Sequence, residues 1–518
     1  MKKVGLFFLM FALFLLASAC SSDSNSQTKG SSSTEGAEGK SESSKEGGDL
    51  VIGYYSDASS FDPLRASSGG DEALLYFIYD TLINYGPGFE PEPGLAESWE
   101  MQDEKTWVLK LREGVTFHDG TEFNAEAVKF NIERANSDAS NKADLNMIES
   151  VEAVDTHTVA LHLSEPNAGL PQALMTAAGM MVSPAAVQEH GDDYALHPAG
   201  TGPFKLADRN PNNELRFEKF SEYWQKGKPY LDSVTVKVMK EGTMINALKS
   251  GEIHVAAPIS ATNMGDLENA AGVKVDASAS LNFQYIFINT SLAPMDDAKV
   301  RQAMHYAIDR EQLVQAIQFG QGEPAYGPFP KEHPAFTEEI ITPYDKEKAK
   351  QLLEESGVES PVLDLLVKPD AFDVRIGEAV KAQLEEVGFQ VNLHPTEVTK
   401  LVELAFSNPQ YPATLARASG RPDPNALLSL YYKEESFYNP GKHKNEKFEA
   451  LLQQAAAESD EAGRNKLISE ASLMIMKEDA MGVPLFFEPL IVAVNEKVHG
   501  YEPHLYGKPR FQFLSLEQ

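Results

Sequence analysis

The chain has 518 residues, a formal net charge of -32, 42% hydrophobic and 24% charged residues, and a single cysteine. This is the composition of a folded protein long enough for about two to four domains or lobes. The acidity excludes a phosphate-backbone binder, which needs clustered Lys and Arg, and keeps the folded body off anionic lipid. One cysteine excludes an internal disulfide, a Cys-based metal site and a CxxC pair.

Lys2 and Lys3 precede an apolar run from Val4 to Leu16, and the small residues Ala17, Ser18 and Ala19 stand directly before Cys20. The run is too short for a comfortable membrane span, so residues 1–19 read as a signal peptide. The small residues and Cys20 resemble a bacterial lipobox, with Ala17 where leucine is commoner. That resemblance implies that Cys20 is lipidated and becomes the first mature residue. Plain secretion with a leftover thiol is the alternative. Residues 21–48 contain no large apolar side chain. They cannot offset chain entropy by burial, so 20–48 is expected to be a flexible Ser/Gly/Glu tether on a lipidated cysteine.

Order is expected from "DLVIGYYSD", a strand opened by Leu50 and Ile52. "FDPLRASSGGDE" follows as a loop broken by Pro63 and two glycines, then "EALLYFIYDTLINY" as a helix. In "TWVLKLREGVTFHDGTEF" the alternation of Trp107, Leu109 and Leu111, then Val115 and Phe117, predicts a β-hairpin turning at Glu113-Gly114. Asn124 reads as an N-cap for a helix striped by Val128, Ile132 and Ala135. "HTVALHLS" is a further strand. "DDAKVRQAMHYAIDREQLVQAI" reads as one long helix, because Val300, Ala303, Met304, Ala307 and Ile308 share a face. "YDKEKAKQLLEESG" is a helix closed by Gly357. "VLDLLV", "FDVRIGEAVKAQLEEVG" and "FQVNLHP" form a βαβ unit with a right-handed connection expected. Two helices fill 444–478, and "GVPLFF" and "IVAV" return to strand. There is no internal repeat.

Enzyme chemistry finds little support. The sequence has no GxSxG elbow, P-loop or HExxH. Its twelve histidines are scattered, and His157 and His162 are too far apart for a ligand pair. Asp192-Asp193 and Asp296-Asp297 read as solvated faces or helix N-terminal charges rather than a glycosidase dyad. A secreted hydrolase would need a nucleophile and base that are not apparent.

Six stretches occur together and in order: "PEPGLAESWE", "LREGVTFHDGTEFNAEAVKFNIERA", "GTGPFKL", "VRQAMHYAIDREQLV", "YDKEKAKQLLEESG" and "GRPDP". Across 49–510 the chain resembles the family 5 extracytoplasmic solute-binding proteins of ABC importers, which include oligopeptide, dipeptide, glutathione and nickel binders. The resemblance implies an α/β, two-lobed periplasmic-binding-protein-like fold (type II, class C) with a hinge and an extra subdomain in lobe I. Lobe I would comprise 49–82, 200–290 and 480–518, its subdomain 83–199, and lobe II 291–479. It also implies a monomer that is not an enzyme and carries no cofactor or metal. Such a protein captures a small peptide or peptide-like solute outside the membrane and passes it to ABC transporter permease subunits. With Cys20 lipidated it would be anchored to the bacterial cell membrane. "GTGPF" is expected to be a tight turn through Gly202 and Pro203, and Trp99, Trp107 and Trp224 to be packing residues. Nickel–chelator, opine or oligosaccharide receptors are alternatives within the class; a sensory receptor or extracellular chaperone is another.

In peptide-binding relatives the aspartate of a Gly…Asp-Pro segment pairs with the ligand's ammonium, and Asp423 is the matching position. A Pro-stiffened loop pre-places its carboxylate, so little entropy is lost on pairing. Arg421 and Arg417 could hold a carboxylate or neutralise neighbours. Ser419, Gly420 and Asn425 are further candidates on this loop, with Tyr438 and Asn439 after it. Ser67, Asp71, Asn282 and Gln284 are candidates from the facing lobe. Nickel-type relatives carry a tryptophan at the position of Ser419 and an arginine in the segment of Met180 and Met181. Both departures count against a metal–chelator ligand. "GRPDP" is also shorter than in dipeptide binders.

Overall fold

Asp49–Tyr54, the first predicted strand, lies inside a sheet assembled from distant parts of the chain. In the computed structural model, which describes residues 46–66, 69–86, 90–137, 140, 144–502 and 510–517, it runs parallel to Ser233–Val238 and to Val255–Ala257. Antiparallel strands extend both edges: Glu214–Lys219 and Phe204–Asn210 on one, Leu490–Asn495 and Val273–Ser278 on the other. The chain divides into Met1–Ser43 and Ser44–Gln518, and the described residues all belong to the second unit. The expected signal peptide, Cys20 and most of the tether therefore lie outside the described residues, as does Ser67. Among the described residues no helix is long and apolar enough to cross a membrane.

The core of this first lobe forms where Phe77 stacks on Phe217 at 4.4 Å between centroids. The helix expected after the first loop is short, Gly69–Leu75, and the apolar residues following it enter turns and the strand Ile83–Tyr85. Gly202 is needed for close approach. Its N–H donates to the Ile78 carbonyl at 2.8 Å, and a Cβ there would stand 2.4 Å from the Ile78 carbonyl carbon.

The subdomain is a four-stranded antiparallel sheet. Thr106–Leu111 does not fold back on Val115 and Phe117 as its alternation suggested. It pairs with Ala96–Asp103 and Thr158–Leu163, while Val115 and Phe117 are buried beside an isolated bridge, Thr116 to Glu122. Asn124 caps Ala125–Ala135, its side chain accepting from the Ala127 N–H at 3.1 Å.

A six-stranded sheet forms the second lobe, in the order Glu323–Pro324, Gly482–Phe487, Phe283–Ile288, Ala413–Ala418, Val362–Val367, Gln390–Pro395. Strands 283–288 and 482–487, assigned to lobe I from the sequence, hydrogen-bond here, so the boundaries expected at 290 and 480 move. The βαβ unit is present: Val362–Val367 runs parallel to both Gln390–Pro395 and Ala413–Ala418. Its helix, Ala371–Glu385, buries Ile376, Val380 and Leu384 completely, each contributing about 1.5–3 kcal/mol. The long helix expected over 296–317 is two, Ala298–Ala307 and Arg310–Gln318, because Asp309 caps the second through the Gln312 N–H at 2.9 Å.

The lobes are joined where Ser278 leads into Phe283 and Phe487 leads into Leu490. These crossings are tied together: Ser280 Oγ donates to the Glu488 carbonyl at 2.6 Å, and the Glu488 N–H donates to the Asn282 carbonyl at 2.8 Å.

Candidate functional site

A cavity of about 2360 Å³ lies between the lobes, walled by residues of both. On the second lobe it meets the carboxyl ends of three parallel strands, where ligands of open α/β sheets bind. After Ala418 the chain enters the loop Ser419–Asp423. Tyr431 pins its start: the Ser419 N–H donates to the Tyr431 hydroxyl at 3.0 Å, which donates back to the Ser419 carbonyl at 2.9 Å. Gly420 lies on the crossing strand, where a Cβ would come within 2.2 Å of Leu281 Cβ.

Asp423 lines the cavity but is already engaged. It caps the helix Pro424–Tyr432, accepting the N–H groups of Asn425 and Ala426, each at 3.1 Å. It is also paired with the buried Arg464. His333 is buried near this pair, its Nδ1 accepting the Ala335 N–H at 3.0 Å; burial holds the ring neutral, pushing its pKa down to about 4.

The two arginines of the loop region have carboxylate partners. Arg417 Nε lies 2.8 Å from Glu488, which also accepts from Gln284 Nε2 at 2.7 Å, so this network anchors at the hinge. Arg421 Nη1 crosses the cleft to Asp144 of the subdomain at 3.1 Å. A second bridge is close: the Ala168 N–H donates to the Ala456 carbonyl at 2.7 Å. Next to it Gly169 rests on the Asp423–Arg464 pair, where a Cβ would stand 2.5 Å from Asp423 Oδ2 and 2.7 Å from Arg464 Nη2. On the same first-lobe wall the buried Gln172 Oε1 has no hydrogen-bond partner.

Of the expected residues, Asp423, Arg421, Ser419, Gly420, Arg417, Tyr438 and Asn282 line the cavity. Ser67 lies outside the described residues, and the remaining four are occupied elsewhere. Asn425 Nδ2 donates inward to the Leu452 carbonyl at 3.2 Å. Asn439 closes the turn after the helix, bonding the His443 carbonyl and N–H. Asp71 binds the Ser59 N–H and hydroxyl at 3.1 and 2.6 Å, and Gln284 is committed to Glu488. Short polar side chains beside Pro or Gly signal caps as strongly as ligands, and here the cap prevails. Sequence reasoning missed Asp144, Gly169, Gln172, Glu488 and Arg464. Nothing local marks them, since each meets the cleft only through tertiary pairing. Trp107 and Trp224 act as structural donors, to the Asn167 carbonyl at 3.1 Å and to Asp80 at 2.7 Å. Among the described residues no group of three or more His, Cys, Asp or Glu is placed to hold a metal ion.

Two lobes, a hinge of paired crossings and a shared cleft define a periplasmic-binding-protein fold, built to hold a solute rather than to transform it. The chain belongs to the bacterial extracellular solute-binding proteins, family 5, whose model matches residues 90–439. Members serve ABC importers outside the cytoplasm and are not enzymes. The chain is 30% identical, over 88% of its length and 91% of the relative's, to the glutathione-binding protein GsiB of Shigella boydii serotype 4. Among solved structures it is similar to the periplasmic binding protein DppA of Helicobacter pylori in complex with the peptide STSA. That match has 28% identity and a TM-score of 0.77, covering 92% of this chain and 99% of that one. The substrate-binding protein CtaP of Listeria monocytogenes superposes with a TM-score of 0.83 at 25% identity, over 91% and 100%.

Proposed function

We propose that this chain is the membrane-anchored receptor of an ABC importer for a small peptide or peptide-like solute. The observation that carries this reading is the interlobe cavity. It is mainly apolar, and its polar residues come from both walls: Gln172 from the first lobe, Asp423 and the Ser419 loop from the second. A peptide offers what such walls need, apolar side chains for the cavity and an ammonium for Asp423. Because Arg464 already shares the Asp423 carboxylate, the ammonium would join an existing pair rather than meet a bare charge, which lowers its contribution. The similarity to the glutathione-binding protein GsiB and to a structure holding the peptide STSA supports the peptide class. The signal peptide over 1–19, lipidation of Cys20 and the 20–48 tether complete the proposal, placing a monomeric body beside the membrane and its permease partners. Ligand closes the lobes because only the closed form lets both walls touch it.

Native mass spectrometry of the protein purified without denaturation, with release and fragmentation of the bound species, tests this. A co-purified peptide or peptide conjugate is expected. A metal complex, opine or sugar in its place overturns the peptide reading. Asp423→Asn is expected to weaken retention of that ligand; because it also leaves Arg464 buried without its anion, it is compared with the double variant Asp423→Asn, Arg464→Met, and undiminished retention in both removes Asp423 as the ammonium partner. Mass spectrometry of the membrane-extracted chain reads the acyl group on Cys20 directly.

A further inference from the structure

Four aromatic rings brought by four separate elements meet on the second-lobe wall of the cavity: Phe287, Phe406, Tyr431 and Tyr438. Phe287 comes from the strand Phe283–Ile288 and Tyr431 from the last turn of the helix Pro424–Tyr432. Phe406 rides on a wide turn after the helix Val398–Val402, where the Asn408 N–H donates to the Glu403 carbonyl at 2.7 Å. Tyr438 is fixed by its own turn, its N–H donating to Ser436 Oγ at 3.0 Å. Phe406 stands edge-on to both Phe287 and Tyr438, at 5.3 Å between centroids in each case. Tyr438 lies 5.2 Å from Tyr431 and 5.9 Å from Phe287.

Packing does not complete this cluster. Phe287 and Tyr431 are buried, but Phe406 and Tyr438 are only half-buried, and Val402, about one turn before Phe406, is 37% exposed. Single exposed apolar residues are ordinary; two incompletely covered rings and a valine on the wall of a ligand cavity form an aromatic surface. Rings that meet edge to face gain more than their area burial alone, so such a surface favours another ring over an aliphatic chain of similar size. A cationic guest is disfavoured. The Tyr431 hydroxyl bonds Ser419, midway in the chain between Arg417 and Arg421. An ammonium here would meet two guanidiniums whose own anions, Glu488 and Asp144, are already engaged. Asp423 caps the other end of the Tyr431 helix, about 12 Å away along its axis. The ring cluster and the ammonium partner are therefore separate, and one peptide can meet both.

We propose that Phe287, Phe406, Tyr431 and Tyr438 form a selectivity pocket for a neutral aromatic side chain of the ligand, with Phe406 and Tyr438 touching it directly. The proposal rests on the peptide-class reading of the cleft and narrows it to peptides that carry Phe, Tyr or Trp.

The test is competition by native mass spectrometry among synthetic alanine tripeptides in which a single position is Phe, Tyr, Trp, Leu, Lys or Ala. The wild-type protein is expected to take aromatic peptides over trialanine by about tenfold or more, a difference of about 1.4 kcal/mol, at one position of the tripeptide. Leu peptides should fall between, about threefold below the aromatic ones, and Lys peptides should not be enriched. Phe406→Leu and Tyr438→Leu each remove a ring while keeping most of its volume, and both side chains are half-buried, so the variants should fold, as circular dichroism checks. Each is expected to bring aromatic and Leu peptides within about twofold of each other, whereas Tyr438→Phe, which keeps the ring, should retain the preference. Equal capture of aromatic and Leu peptides by the wild type, enrichment of Lys peptides, or an unchanged aromatic preference in both leucine variants overturns the proposal while leaving a peptide receptor standing. Capture of no peptide from the pool overturns both readings.

Discussion

The two walls of the cleft are built in opposite ways. The second-lobe wall comes from consecutive segments, 368–375, 396–406 and 417–431, each leaving the same edge of three parallel strands. The first-lobe wall is gathered from segments far apart in sequence, such as Glu72, Asp144, Gly169 and Ser260, set on two different sheets and their connections. A wall made by one sheet edge can change its chemistry residue by residue. A wall assembled from distant loops mainly has to arrive in the right place. On this view the second lobe carries selectivity, and the first supplies closure and a few fixed bonds.

The contrast can be broken most forcefully at Arg464. Removing it leaves the Asp423 carboxylate buried against a helix start without its cation. Arg464→Ala is expected to cost about 3–5 kcal/mol in urea unfolding. The double variant Asp423→Asn, Arg464→Met should lose much less, and equal losses would show that packing rather than charge is at stake.

His333, beside the same pair, should make the second lobe acid-sensitive. Its folded pKa of about 4 lies below the usual histidine value near 6.5. Between those values the unfolded chain holds the extra proton, so the contribution is complete above about pH 6.5 and is lost as pH falls toward 4. The integrated effect is on the order of 3 kcal/mol. His333→Gln should flatten the urea midpoint over that window relative to the wild type. Parallel profiles would place the acid sensitivity elsewhere.

At Gly169 the first lobe meets the pair, and Gly169→Ala is expected to act on closure rather than folding. Its Cβ would overlap Asp423 and Arg464, costing about 1–3 kcal/mol in the closed form only. Solution scattering should show a larger radius with ligand present, with little change in the melting temperature. A lower melting temperature with an unchanged radius would contradict this. The smallest effect is expected at the cross-cleft pair. Arg421→Ala should weaken ligand binding by no more than about 1 kcal/mol, and less at high salt, because both partners are partly exposed.

The same contrast explains what could be read from sequence. The βαβ unit and the Asn124 cap were legible because hydrophobic period and cap chemistry are local. The single helix expected through Asp309 was not: Ala307 and Ile308 are both buried, so the apolar stripe continues across a cap that interrupts the backbone. Thr106–Leu111 showed its alternation but not its partner, since pairing with Ala96–Asp103 is decided by the sheet. In the site, Pro and Gly advertised the loop around Asp423. Arg375 and Val402 sit on separate helices and line the same cavity, each helix following the end of one of two adjacent parallel strands. Once the βαβ unit was read, the carboxyl-end rule was the signal that could have found them.

The paired hinge carries a consequence for how this architecture can be rebuilt. Residues 283 and 487 are register partners on adjacent antiparallel strands, so the whole second lobe leaves and returns to its neighbour at one point, with its ends about 5 Å apart. It is topologically a cassette. A chimera that exchanges 283–487 between two receptors needs only two junctions, which lie side by side, and should carry solute preference with the cassette while the recipient keeps its own first lobe.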